Sequence, residues 1–379
     1  MAPVIAIDGL MHQAMPREIM MSFRKDNDEY DAWLAMQCDV VKKDIDTKHR
    51  RMKKNAFIFL RATYFRWART IPLLCPNLMD APPQVLGVGD MHLENFGTWR
   101  DADGRLVWGV NDFDEAAVMP YPLDLVRLAA SIRLAPKLDV SNPAAAAALL
   151  KGYREGLDQP QPALLHEGET WLRPYAERPD DKPEKFWKEV AEYRKAEPPP
   201  KIARRLIASL PKDVESVRFC SRVAGGGSLG RPRYVAVAFW LGGHVLREAK
   251  ALVPSAWTWA HDNKSGSKSG ERSHASHFLE IANGRYRAPD PFLDIHSKFI
   301  FRRLAADSRK IELGADAGAK LKAELFRAMG FDLASIHAAG SAGAAALRAD
   351  LKKRPRGWLN AAAKATVAAV KRDYEEWRN

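Results

Sequence analysis

GDMHLENFGTWRDADGRLVWGVNDFDEA, residues 89–116, is the stretch on which the rest of the chain turns. Asp90 opens it, Asp112 and Asp114 close it, and His92 and Asn95 lie near its start. Two apolar segments of strand character separate the polar ends and meet at Asp103-Gly104. Strand-like runs joined at Asp-Gly predict a β-hairpin. A hairpin returns its second end to its first, so the carboxylates, the histidine and the asparagine are expected to share one place.

Phosphoryl transfer needs such a set. One aspartate accepts the proton of a substrate hydroxyl, an asparagine five residues on holds Mg²⁺, and an aspartate beyond a short hairpin holds Mg²⁺ against the phosphates. Asp90 then fits the base, Asn95 and Asp112 the metal ligands, and Asp114 a second-metal or supporting ligand. His92 is a candidate for ordering the loop or sharing in proton transfer.

Such chemistry with ATP also needs a glycine loop and a strand lysine, and both lie downstream. Gly225, Gly227 and Gly230, with Ser228 among them, form G-x-G-x-x-G between two strand-like runs. A glycine loop placed between strands disfavours a dinucleotide fold, which requires a helix next. Backbone N–H groups in such a loop approach phosphate oxygens because no side chains intervene. An ordinary hairpin turn is the plain alternative. Two strands on, Lys250 ends VLREAK, where a lysine for the α- and β-phosphates is expected. The order is permuted, with the catalytic loop before the nucleotide-gripping part.

GDMHLEN resembles the G-D-x-H-x-x-N loop of aminoglycoside and choline kinases, and NDFDEA resembles their I-D-[FW]-x-x-A strand end. PLDL, residues 122–125, falls where those enzymes carry an aspartate at a helix start. The resemblance implies that Asp124 braces the catalytic-loop backbone; a simple helix cap is the alternative. FDLASIHAAG, residues 331–340, looks like the helix that precedes the catalytic loop in small-molecule kinases, although His337 also suits a satisfied core histidine. With AFIFLRATYF (56–65), NDFDEAAVMPYPLDLVRLAAS, GGGSLG and KALVPS (250–255), the chain resembles the bacterial domain-of-unknown-function family 2252 over most of residues 50–340. That family looks like circularly permuted kinase-like proteins. Its K-E-A reads Lys250-Ala251-Leu252 here, which leaves Glu248, Glu271 and Glu280 as open choices for the acid that pairs with the lysine.

The expected architecture is α+β, a protein-kinase-like two-lobe fold in circularly permuted order. Residues 1–165 supply N-terminal helices and the catalytic part of the large lobe, and 166–215 a helical connector. Residues 216–312 form a small antiparallel β lobe, and 313–379 the closing helices. Apolar residues spaced at three and four predict helices within 17–70, 123–134, 144–157, 182–213 and from 317 onward. HDNKSGSKSGERS, residues 261–273, reads as a polar loop.

Composition bounds the partners. Of 379 residues, 46% are hydrophobic and 28% charged, as in ordinary globular proteins. The N-terminus lacks a basic segment followed by an apolar one, so no secretory signal is expected. The longest apolar run, 143–150, falls far short of the ~20 residues that span a bilayer. Cys38, Cys75 and Cys220 form neither a disulfide framework nor a zinc pattern, and a cytoplasmic location is expected. The net charge of +12 includes local runs at 48–54 and 347–358, expected to be solvated helix faces. A nucleic-acid partner finds no supporting motif. The expected ligands are ATP and Mg²⁺, with a hydroxyl-bearing acceptor that is anionic or neutral rather than cationic. Two alternatives stay open. One is a hydrolase or nuclease binding two metals through Asp90, His92, Asp112 and Asp114, which leaves Lys250 and the glycine loop without a role. The other is a nucleotide-binding pseudokinase that regulates a partner. Transfer of AMP in place of phosphate uses the same ligands with the nucleotide reversed.

Overall fold

Helical spacing near the N-terminus resolves into four helices in the computed structural model, which describes residues 22–136, 138–168, 170–173, 183–261, 268–306, 308 and 321–379. They are α1 (Phe23–Gln37), α2 (Lys42–Met52), α3 (Ala56–Ala62) and α4 (Tyr64–Leu74); the part of the expected helical region at 17–21 lies outside the described residues. Ser22 and Asn55 cap α1 and α3 by accepting from the amides of Lys25 and Ile58. Three C-terminal helices, α11 (Ala323–Ala338), α12 (Gly343–Lys353) and α13 (Trp358–Arg378), return to this body. The buried Arg66 guanidinium ties α1 to α13 by pairing with both Asp26 and Asp373.

The hairpin of residues 89–116 hangs between two strands that pair with each other. β1 (Gln84–Gly87) runs antiparallel to β4 (Ala117–Pro120), so residues 88–116 leave and re-enter one small ribbon. Inside that excursion β2 (Phe96–Arg100) pairs with β3 (Leu106–Val110), with Phe96 opposite Val110. Asp101 fixes the turn by accepting from the amides of Asp103 and Arg105. β5 (Ala163–Leu164) adds a third strand beside β3. Helices α5 (Pro122–Leu134) and α6 (Asn142–Asp158) follow the excursion. Gly152 of α6 and Gly330 of α11 bring these two helices into backbone contact: a Cβ at Gly330 would lie 2.1 Å from the Leu149 carbonyl oxygen. This close packing carries the end of α11 to the hairpin.

The connector contains α7 (Pro183–Ala191) and α8 (Pro200–Ala208). Beyond it lies an antiparallel sheet of β6 (Ser216–Ser221), β7 (Arg233–Trp240), β8 (Gly243–Ala251), β9 (Asp294–His296) and β10 (Phe299–Leu304), in the order β6-β7-β8-β10-β9. Strands alternate their side chains, so the sheet has two distinct faces. Ala236, Ala238, Ala249 and Phe301 pack under Ile202 and Leu206 of α8. The opposite face buries Val235, Val237 and Leu246 against Val190 of α7.

Helices α9 (Ala256–His261) and α10 (Lys268–Ala282) bridge β8 and β9. Here the expectation of a polar loop over 261–273 is corrected: helix α10 starts at Lys268, because the apolar positions that follow, Phe278, Ile281 and Ala282, are buried and propagate a helix backward. Residues 262–267 lie outside the described residues. In the basic run at 48–54, Arg50, Lys53 and Lys54 are exposed, as expected of a solvated face, but Lys48 is not. Lys48 is fully buried, with its ammonium 5.4 Å from the Tyr30 ring and 4.0 Å from Asp31. No helix among the described residues is long and apolar enough to cross a membrane.

Candidate active site

Both ends of the hairpin meet through Asn95. Its amide nitrogen donates to the main-chain carbonyls of Asp90 (3.2 Å) and Asp112 (3.1 Å), locking the two acids to one another. Its Oδ1 is buried without a hydrogen-bond partner, and a buried acceptor left alone is costly. Asp90 is held by Arg127, whose Nε and Nη2 donate to Oδ1 at 2.9 and 2.5 Å. The Arg127 guanidinium in turn faces the rings of Tyr64 and Trp67. Burial pushes the Asp90 carboxyl above the usual aspartate range, although Arg127 opposes this. His92 Nε2 lies 4.0 Å from Asp90 Oδ2, beyond hydrogen-bond reach.

Asp124 does not cap α5 in the ordinary way. Its carboxylate accepts from the amides of Val88 (2.7 Å) and Gly89 (2.9 Å), the two residues that lead into Asp90. His337, at the end of α11, completes the brace, with Nε2 3.0 Å from Asp124 Oδ2 and Nδ1 2.8 Å from the Tyr153 hydroxyl. A carboxylate only accepts, so the His337 proton sits on Nε2 and Nδ1 accepts from Tyr153. Burial holds the Tyr153 phenol well above its ordinary value, so it stays a donor. Asp332, on the same helix, accepts from the Val110 amide at the end of β3. The late helix α11 thus holds both ends of the hairpin.

Lys250 comes from the small sheet to the same place. Its ammonium pairs with Asp114 and lies 3.5 Å from Asp112. Of the three acids open as its partner, Glu280 is exposed, the Glu271 side chain lies outside the described residues, and Glu248 belongs to three arginines. The partners of Lys250 are the hairpin's own carboxylates. The glycine loop joins β6 to β7, strand to strand. Gly227 forms its inner tip: a Cβ there would lie 2.9 Å from the Arg61 carbonyl oxygen and 3.5 Å from Asp90 Oδ2. Ser228 Oγ accepts from Arg233 at 2.7 Å, while the Gly230 carbonyl accepts from the Val41 amide, tying the loop to the segment before α2.

Several residues in this centre had no clear mark in the sequence. Arg231 bridges Asp114 (3.2 Å) and Glu115 (2.6 Å), and Glu115 also accepts from the Ala256 amide. His274 of α10 is buried, and burial lowers it to about 4. Arg231 directly follows the last glycine of the loop, and Arg127 lies one helical turn after Asp124; i,i+3 spacing on α5 was the available signal.

Asp90, Asn95, Asp112, Asp114, Lys250 and the tip of the glycine loop line one cavity of about 1490 Å³. Lys43, Arg50, Arg51, Lys54 and Arg61 line it as well. Among the described residues no three His, Cys, Asp or Glu side chains converge to hold a metal. Fold and site together define a mixed α+β protein whose cation-rich cleft is set around a hairpin of carboxylates. The chain belongs to the family described as uncharacterized protein conserved in bacteria (DUF2252), whose model matches residues 40–167 and 178–379. No curated protein and no solved structure matches it.

Proposed function

We propose that this protein is an ATP- and Mg²⁺-dependent transferase of the kinase-like class, in circularly permuted order, which moves a phosphorus-bearing group from the nucleotide to a hydroxyl. The observation that carries the proposal is the junction of Lys250 with Asp112 and Asp114, beside Asp90 and the tip of the glycine loop. Residues separated by more than 130 positions converge there, and they are of the types that transfer chemistry uses. The strand pattern supports it further, with a glycine loop between the first and second strands of the small sheet, a lysine on the third, and helices after it.

Mg²⁺ suits the donor set. It takes oxygen ligands and is commonly held by one or two carboxylates plus substrate phosphates; the Asn95 Oδ1 and the Asp112 carboxylate would hold it, and its charge would offset that on the phosphates. Asp90 receives the proton of the acceptor hydroxyl. Its raised pKa suits a base, because proton transfer is most effective when the pKa approaches the working pH. Arg127 fixes one oxygen of Asp90 and leaves Oδ2 toward the loop tip. The lining of Lys43, Arg50, Arg51, Lys54 and Arg61 favours an anionic acceptor. A two-metal hydrolase has less support, since no three metal-ligating side chains of the required kinds converge among the described residues.

The test is nucleotide binding. ATP with Mg²⁺ raises the melting temperature by mass action, and calorimetry gives a matching affinity. Lys250→Ala reduces the shift strongly, while the unliganded protein still melts cooperatively. Absence of both a shift and a calorimetric signal at millimolar ATP would reject the proposal.

A further inference from the structure

Next to Lys250 the cavity wall is charged where a nucleobase would need an apolar slot. Glu248, two residues back on the same face of β8, is fully buried and receives Arg222 at 3.1 Å, Arg233 at 3.4 Å and Arg302 at 2.6 Å. Register places Arg233 opposite Lys250 and Arg302 opposite Glu248, so the cluster covers the middle of that sheet face. Roughly fifteen N–H donors on three guanidiniums meet roughly four lone-pair sites on one carboxylate. Three cations against one anion leave a surplus of two positive charges in the wall, and all three arginines line the cavity. Lys250, opposite Arg233, reaches Asp114 and Asp112, which puts the cluster beside the hairpin acids.

A triphosphate gripped at Lys250 can point its base in one of two directions. Pointing inward sets the base on Glu248 and the arginines, which it cannot satisfy. Beyond them the face is closed: Val235, Val237 and Leu246 are covered by Phe186, Trp187 and Val190 of α7. Phosphate oxygens match the same wall well, because guanidinium forks bind them bidentately.

We infer that Arg222, Arg233 and Arg302 seat the terminal phosphates of the nucleotide, with the base toward the mouth of the cavity, so that the α-phosphorus faces Asp90 and the reaction is nucleotidyl transfer. The acceptor hydroxyl oxygen bonds to the α-phosphorus, and its proton passes to Asp90. The bond from the α-phosphorus to the bridging oxygen of the β-phosphate breaks, and pyrophosphate leaves with the electron pair. The inference rests on the cleft being a nucleotide site.

Binding alone tests it, using the intact protein with Mg²⁺ and four probes: ATP, inorganic tripolyphosphate, ATP carrying an alkyl linker on the terminal phosphate, and ATP carrying the same linker on the adenine amine. Tripolyphosphate and adenine-linked ATP bind within several-fold of ATP, and terminally linked ATP binds at least about tenfold more weakly. Arg302→Gln and Arg222→Gln each lower the affinity for both ATP and tripolyphosphate about tenfold or more, the scale of a lost charge-assisted bond. Tighter binding of the terminally linked probe than of the adenine-linked one overturns the orientation. Unchanged tripolyphosphate affinity in both folded variants overturns the phosphate seat. In either case the nucleotide site itself stands if ATP still binds; only failure of ATP to bind the wild-type protein removes the site and the inference together.

Discussion

Removing the Asp124 carboxylate measures how firmly the loop before Asp90 is held. The side chain is fully buried and accepts three hydrogen bonds, from the amides of Val88 and Gly89 and from His337 Nε2. Alanine leaves all three donors in a dry interior, at about 1–3 kcal/mol each. Partial relaxation toward new acceptors sets the expected loss near the lower half of that sum, about 4 kcal/mol. Asparagine has nearly the same shape and keeps one acceptor oxygen, so it loses one backbone bond and the charge, about 1–3 kcal/mol. An unfolding entropy of about 2.1 cal/mol/K per residue over 379 residues is about 0.8 kcal/mol/K. Asp124→Ala then lowers Tm by about 5 °C and Asp124→Asn by about 1–4 °C. Urea unfolding followed by tryptophan fluorescence, with calorimetric Tm, measures both. A loss below about 1 kcal/mol in Asp124→Ala would mean that other groups satisfy the Val88 and Gly89 amides and that the brace is not real.

Asp90→Asn is expected to lower turnover by roughly 10²–10⁴-fold, the usual effect of losing a general base, with ATP affinity nearly unchanged. Asp112→Asn is expected to weaken both, and titrations beside rate measurements separate them; equal loss of affinity in the two would make Asp90 a metal ligand. His274 gives a pH dependence of folding. The unfolded chain protonates it near 6.5, but burial delays protonation of the folded protein to about 4. A base with a depressed folded pKa costs stability as pH falls, so the loss builds between about 6.5 and 4 and reaches roughly 3 kcal/mol. Urea midpoints at pH 7.5 and 4.5 are therefore expected to differ less in His274→Asn than in the wild type, and an unaltered difference would clear His274 of this role.

Much of this centre was legible because its residue types are bound to short-range geometry. Asp90, Asn95 and Asp112 lie within a hairpin whose turn and strands are local events, and Lys250 ends a strand with clear alternation. The helical segments were legible for the same reason, with ends set by Ser22, Asn55 and the prolines that open α5, α7 and α8. What escaped notice depends on long-range contacts. Arg231 and Arg127 became visible only when their carboxylates came near. β9 is three residues long and owes its existence to β10. Helix α10 begins in a stretch that holds glycine and serines of lower helix preference, and tertiary burial of its later turns outweighs that preference. The acid for Lys250 was sought on the following helix and the same strand, whereas the hairpin supplies it from 136 positions upstream at Asp114.

The dependence of the hairpin on α11 has a consequence for biosynthesis. Val88, Gly89 and Val110 enter the growing chain more than 200 residues before Asp332 and His337. Until those two emerge, the Val110 amide has no carboxylate to receive it, and Asp124 holds its backbone partners without the histidine behind it. At about 5–20 residues per second the interval lasts roughly 10–50 seconds. During translation the loop at Asp90 therefore exists before its brace, and a chain stopped at residue 322 carries every proposed catalytic residue with none of the support that α11 provides.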